Sequence, residues 1–494
     1  MLTLTIFLPL AVGLLILLLP KGRPALARRA ALTGALGTLA CALVLLAGYD
    51  PGGAALQWRL AVDWIPGLNA SYDVAVDGLS LPLIVLTAVL LVVVCVYVLA
   101  KKGDRPRLHA ALFMLMTTGL MGLFAAQDLL LFYVFFEIGL VPMYFIVGVW
   151  GHEDRRYAAL KFFLYTRAGS LAMLLSFLTL YLAADPHTFS LPALVEAQPL
   201  AGSGRAGGLV LLGMLIGFGV KLPAVPLHNW LPDAHVEAPT EGSVMLAGIQ
   251  LKMGAYGLLR VMLPTVPDAA AAWGWVLVVL ALVALVYGAL AALAQTDLKR
   301  LVAYTSINHM GYVLLGAGVW ALAESESVRQ LALSGATYQM VSHGLLTGGM
   351  FLMVGMLQDR ASTREMERFG GLLGRVPVFA GLMGLLVFGS LGLPGFSGFI
   401  AEFQVIGGAV SVSLWVPALT ILGLIITTGL YLKIVVGVLM GEAPDGMPAL
   451  ADLSGRELVA VGSLTALSLL LGILPGLLIS VIEPTTRMLA AIGE

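Results

Sequence analysis

Cysteine is almost missing from this chain. Cys41 and Cys95 are the only two in 494 residues, and each lies in an apolar run without a second cysteine or histidine at ligand spacing. That excludes a disulfide framework, a zinc site and an iron–sulfur cluster. Charge is scarce too: 11% of residues are charged and the formal net charge is −1, so there is no basic surface for nucleic acid. No glycine-rich phosphate loop follows a strand pattern, which leaves no nucleotide or dinucleotide site. If electrons move, their carriers are on other chains. The opening run MLTLTIFLPLAVGLLILLLP has no basic lead of the secretory type; its cations, Lys21, Arg23, Arg28 and Arg29, come after it.

Apolar sequence is what the chain has. Hydrophobic residues make up 60% and the mean hydropathy is +0.97, the composition of a polytopic membrane protein. Runs long enough to cross the hydrocarbon recur at 2–20, 30–48, 78–100, 109–126, 128–150, 157–183, 208–232, 241–263, 273–294, 301–321, 331–357, 377–406, 414–440 and 457–482. The expected fold is all-α, with about fourteen transmembrane helices.

Loop charge tests that count. Loops after odd-numbered spans carry 18 Lys and Arg, among them Lys101, Lys102, Lys299, Arg300, Arg360 and Arg364; loops after even-numbered spans and the C-terminus carry 5, including Arg59, Arg260 and Arg487. The positive-inside rule places the odd loops in the cytoplasm and both termini outside.

The remaining cations, Arg167, Lys221, Lys252 and Lys433, fall inside apolar spans, as do Glu137, Glu402, His309 and His343. An ionisable group in a membrane helix costs a few kcal/mol or more, so it faces protein or water and pairs with others. Buried groups of both signs together with histidines point to a proton or ion pathway. A buried lysine loses proton affinity and regains it beside a carboxylate, so a variable Glu137–Lys221 distance would act as a switch. Lysine can become neutral in a way that arginine cannot. Gln339 and Thr347, at i−4 and i+4 from His343, make a polar stripe able to hold water. Lys433 is open to either a pathway role or snorkelling, and Arg167, near the start of its helix, is expected to snorkel. Asp77 and Asp128 sit at helix starts as caps.

Two spans contain breaks. In GFGVKLPAVPLHNWLPDAH, Pro223 and Pro226 remove helix N–H groups just after Lys221; in FGSLGLPGFSGF, Pro394 and its flanking glycines interrupt span 12 before Glu402. Freed backbone groups in lipid require protein or water partners. Broken helices five spans apart are the mark of paired repeats around a transport path.

These residues resemble a known family. The stretch 221–260, with FFEIGLVPMYF (135–145), HVEAP (235–239), TDLKRLVAYTSINHMGY (296–312) and LPGFSGFIAEF (393–403), is similar to the antiporter-like subunits of respiratory complex I, the proton-pumping NADH:quinone oxidoreductase, and within them to the M type. The resemblance implies N-terminal helices in 1–107, inverted repeats in 108–264 and 265–441 with helices 7 and 12 broken, and a last helix in 442–494. It implies a glutamate–lysine pair at Glu137 and Lys221, a central lysine at Lys252, a terminal site at Glu402, and His309 and His343 between them. It further implies no cofactor in this chain, with NADH, FMN, iron–sulfur clusters and quinone on partner subunits. The partners would be flanking antiporter-like subunits in a bacterial cytoplasmic membrane. Glu402 separates this type from sister subunits and Mrp-type cation/proton antiporters, which typically carry lysine there. Arg167 departs from the pattern, where an uncharged polar residue is usual.

Overall fold

A computed structural model describes residues 1–99, 101 and 103–492. Lys102, one of the odd-loop cations, and the last residue expected in span 3, Ala100, lie outside the described residues. The chain is a bundle of membrane-spanning helices. Among the described residues, ten helices are long and apolar enough to cross a membrane by length and composition alone, with Leu2–Leu18, Pro377–Ser390 and Ser397–Val412 as shorter apolar helices. These account for spans 1–7, 9 and 11–14 of the expected order. Spans 8 and 10 complete it: span 8 is continuous helix over 240–265, and span 10 is Leu298–Leu322.

The spans that fail the simple length-and-hydropathy test fail for physical reasons. Span 1 is a residue too short. Span 8 changes winding at two π turns, Leu246–Gln250 and Leu258–Met262. Span 10 carries Lys299, Arg300, Asn308 and His309, and span 12 is broken. Three of these four hold ionisable groups of the site described below.

Span 7 runs as Gly204–Lys221 and resumes as Trp230–Glu237. The indole N–H of Trp230 donates to the Val220 carbonyl at 2.9 Å, so one acceptor released by the helix end is satisfied inside protein. Span 12 runs as Pro377–Ser390 and resumes as Ser397–Val412; Gly392 (φ 73°) and Gly395 (φ 101°) supply the left-handed turns between. Ser397 at the restart is hydrogen-bonded at 2.8 Å to both Ser342 and Ser468, which pins the second piece to spans 11 and 14.

Two features differ from the expected order of spans, and the first of them also departs from an all-α fold. Gln57–Ile65 (β1) and Ala70–Val76 (β2) pair antiparallel between spans 2 and 3. Their sequences, QWRLAVDWI and ASYDVAV, alternate and are too short and polar to span, so a search for apolar runs passes over them. Span 14 is Gly455–Ile473, ending before Pro475; the rest of the expected run is a separate helix, Gly476–Ala490, with Glu483 and Arg487 on its polar side. That helix is tied down by Trp320 Nε1 donating to the Leu489 carbonyl (3.0 Å) and by the Gly78 N–H donating to Thr485 Oγ1 (2.7 Å).

Candidate functional site

Lys221 is the last residue of the first piece of span 7 and is fully buried. Span 8 approaches it closely because residue 254 is glycine: a Cβ there would collide with the Phe218 carbonyl and press on Lys221 Cβ. Lys221 Nζ donates to Gln250 Oε1 at 3.4 Å and lies 5.0 Å from the centre of the Phe162 ring. Gln250 donates onward to the Gly139 carbonyl in span 5 (Leu129–Trp150) at 2.7 Å.

Glu137 sits half a turn before Gly139 but is held elsewhere. Its carboxylate pairs with Arg167 at 2.8 Å and accepts from Ser170 Oγ at 2.6 Å, both from span 6 (Arg155–Ala183). Among the described residues no ion pair within 4 Å joins Glu137 to Lys221. Arg167, expected to snorkel, is 42% exposed at its side chain, and its guanidinium has Glu137 and the Tyr133 hydroxyl (3.1 Å) as partners.

Lys252 is fully buried in span 8, just after the first π turn. A π turn withdraws carbonyls from the regular ladder, and Lys252 Nζ takes one, donating to the Ala247 carbonyl at 2.6 Å. Its second contact is His343 Nδ1 in span 11 (Glu326–Ala361), also 2.6 Å away. From His343 the polar line continues to His309, with ring centroids 5.8 Å apart. His309 Nδ1 lies 3.7 Å from Glu402 Oε1 and 3.4 Å from Gln339 Nε2, and its Nε2 is 3.5 Å from the Tyr431 hydroxyl. Glu402 stands in the second piece of span 12, and the broken turn reaches it: a Cβ on Gly392 would collide with Glu402 Oε2.

A cavity of about 10 Å³ is lined by His309, Gln339, His343, Thr347, Ser390 and Glu402, among others. That volume is at the threshold for one water. Among the described residues, His343 Nε2, Gln339 Oε1 and Ser390 Oγ are buried there without a protein partner, and a water needs two to four such partners. The structure thus joins Lys252, His343, His309, Gln339, Thr347 and Glu402 in one cluster. Lys221 and Gln250 adjoin it through span 8. Lys433 stands apart, donating to the Leu293 and Gln295 carbonyls (3.2 and 2.9 Å) at the end of span 9, Gly274–Leu293. There it complements a helix C-terminus.

Sequence reading passed over several buried charges. Arg260, counted as a loop cation, is buried in the second π turn of span 8 and bonded to buried Asp77 at 2.8 Å and to Gln127 at 3.2 Å. Asp77 therefore does more than cap, whereas Asp128 does cap span 5, accepting from Leu130 and Leu131 N–H. Lys299 is buried beneath the odd-loop face, donating to the Ala238 carbonyl at 2.5 Å. His235 is buried against Phe351 (centroids 4.4 Å), with neither ring nitrogen bonded to protein among the described residues. Glu241 opens span 8 and pairs with Lys101 and His109. The signal missed was position: each sits at a span end, where a charge reads as solvated.

A line of donors and acceptors crossing the apolar core, with a neutralisable lysine against an imidazole, can pass protons by local transfer.

A family model described as "NADH:quinone oxidoreductase/Mrp antiporter, TM" matches residues 126–428. The NADH-quinone oxidoreductase subunit M of Rhodobacter capsulatus is 38% identical, covering 99% of this chain and 96% of that protein. A chain of respiratory complex I from Thermus thermophilus, solved with bound NADH, superposes with a TM-score of 0.88 at 32% identity, covering 100% of this chain and 99% of that one. A chain of the Mrp complex from Dietzia sp. DQ12-45-1b has a TM-score of 0.85 at 21% identity, covering 99% and 97%; at that identity it speaks for the fold alone. The chain belongs to the NADH:quinone oxidoreductase/Mrp antiporter transmembrane family, as an antiporter-like complex I membrane subunit of the M type.

Proposed function

We propose that this subunit carries protons along Glu137, Lys221, Lys252, His343, His309 and Glu402, driven by redox chemistry in partner subunits that hold the NADH, FMN, iron–sulfur and quinone sites. The observation that carries the reading is the 2.6 Å contact between Lys252 and His343, two buried bases sharing one hydrogen bond at the centre of the bundle. Moving one charge against 100 mV costs about 2.3 kcal/mol, so the transfer must be driven. The first repeat, 108–264, would load Lys252 from Lys221; the second, 265–441, would empty it to Glu402, with 1–107 and 442–494 flanking. Gln250, bridging Lys221 to span 5, and Arg167, holding Glu137, set how the first half is gated. Lys433 has a helix-capping role in this scheme. The membrane is the bacterial cytoplasmic membrane, with the odd loops inside and both termini outside. The alternatives are an Mrp-type cation/proton antiporter subunit, which Glu402 in place of lysine disfavours, and a subunit of a related ferredoxin- or hydrogenase-linked complex. The test is proton pumping by the assembled complex bearing Lys252→Ala or Glu137→Gln. Loss of pumping with the complex intact is expected; unchanged pumping in both would make the chain structural.

A further inference from the structure

The pathway leaves unused a cavity of about 290 Å³ at the odd-loop face. Exposed Gly103 and Asp104 line it, and so does Glu241, which is only 5% exposed. The Glu241 carboxylate is bridged on one oxygen by Lys101 Nζ (3.3 Å) and on the other by His109 Nε2 (3.1 Å). Other ionisable groups face this cluster: Arg28 of span 2 lines the cavity, and Tyr97 of span 3 donates to Asp359 at 2.8 Å. Asp359, at the end of span 11, pairs with Lys101 at 3.4 Å. His152, from the loop after span 5, lines the same cavity. Lys299, at the start of span 10, lies within electrostatic reach of Glu241.

A carboxylate used only as a clamp has no need of a cavity beside it. Here the cavity brings solvent to a group that opens the helix carrying Lys252. Eleven residues separate the two, about 16 Å along a helix axis. His235 stacks on Phe351, midway along span 11 between His343 at Lys252 and Asp359 at Lys101, and among the described residues neither of its ring nitrogens has a protein partner.

We propose that this cavity is the proton-uptake vestibule of the chain, with Glu241 as the carboxylate that takes protons from vestibule water and passes them inward. A proton adds to a Glu241 oxygen, weakening the contact with Lys101 or His109. It then leaves for the next acceptor toward Lys252, and the ion pair re-forms. The inference rests on the reading that Lys252 carries protons.

The experiment uses the intact complex in proteoliposomes, with proton uptake followed by a pH-sensitive dye. Glu241→Gln should slow uptake by about tenfold, and Glu241→Asp should restore much of it. A second arm does not depend on Glu241 being replaceable. Among the described residues nothing lies within 4 Å of a Cβ added at Gly103, an exposed position that accepts Gly103→Cys. Labelling it with a bulky thiosulfonate should slow uptake, while unlabelled Gly103→Cys and reagent-treated parent pump normally. Parent-like uptake in Glu241→Gln or in labelled Gly103→Cys, beside a dead Lys252→Ala, overturns the vestibule and leaves the central pathway standing. Normal pumping in Lys252→Ala overturns the pathway itself, and the vestibule with it.

Discussion

Lys252 Nζ lies 2.6 Å from His343 Nδ1, and its other hydrogen bond goes to a backbone carbonyl. While the lysine is charged the imidazole must accept, and in that state the pair holds one excess proton. His343→Gln offers an amide oxygen in place of the nitrogen but cannot relay. Proton pumping by the assembled complex should fall by roughly tenfold, with assembly unchanged on a native gel.

Glu137 is held by Arg167 at 2.8 Å rather than by Lys221. Arg167→Gln frees the carboxylate toward span 7. Groups in one hydrogen-bonded network are non-additive, so pumping in Glu137→Gln/Arg167→Gln should depart from the product of the single effects. Strict additivity would detach Arg167 from the pathway.

The Asp77–Arg260 pair is buried on both sides. Arg260→Leu leaves an uncompensated carboxylate and should cost about 3–5 kcal/mol, whereas Asp77→Asn/Arg260→Leu together should recover most of it. Thermal unfolding of the purified complex, compared across the parent and the two variants, checks this.

Gly392 and Gly395 both need positive φ, at 73° and 101°. Alanine strains either by about 1–2 kcal/mol. Only Gly392→Ala also strikes Glu402, since an added Cβ at Gly395 meets nothing within 4 Å. Pumping should therefore suffer more from Gly392→Ala than from Gly395→Ala.

Burial first, then the charges of Lys299, Arg364 and Lys101, push His152 down to about 4. Its unfolded value is about 6.5, so the unfolded chain binds the extra proton first. The stability it contributes is complete above about pH 6.5 and is lost as pH falls toward about 4. His152→Gln should flatten that part of the melting-temperature profile between those limits.

Much of the fold was legible because lipid enforces long apolar runs, and the two breaks declared themselves through Pro223, Pro226 and Pro394. The central cluster was legible for a related reason: Lys252, His309, His343 and Glu402 are polar where the surroundings forbid it. Partner choice was not legible. Nothing in the spacing of Glu137, Arg167 and Lys221 says which cation reaches the carboxylate, since that depends on how spans 5, 6 and 7 rotate against each other. Arg260 and Glu241 were hidden by lying at span ends. The π turns that place Lys252 and Arg260 have no residue signature comparable to proline. The β1–β2 pair was missed because alternation in a short polar loop carries little hydropathy.

Lys252→Arg tests the central claim most directly, because it keeps the charge and the donors while removing the ability to release a proton. In the reconstituted, fully assembled complex, proton translocation per electron pair or per turnover should fall sharply against the parent. Parent-level translocation by Lys252→Arg would contradict the account, since an arginine that stays charged cannot serve as a proton-carrying centre.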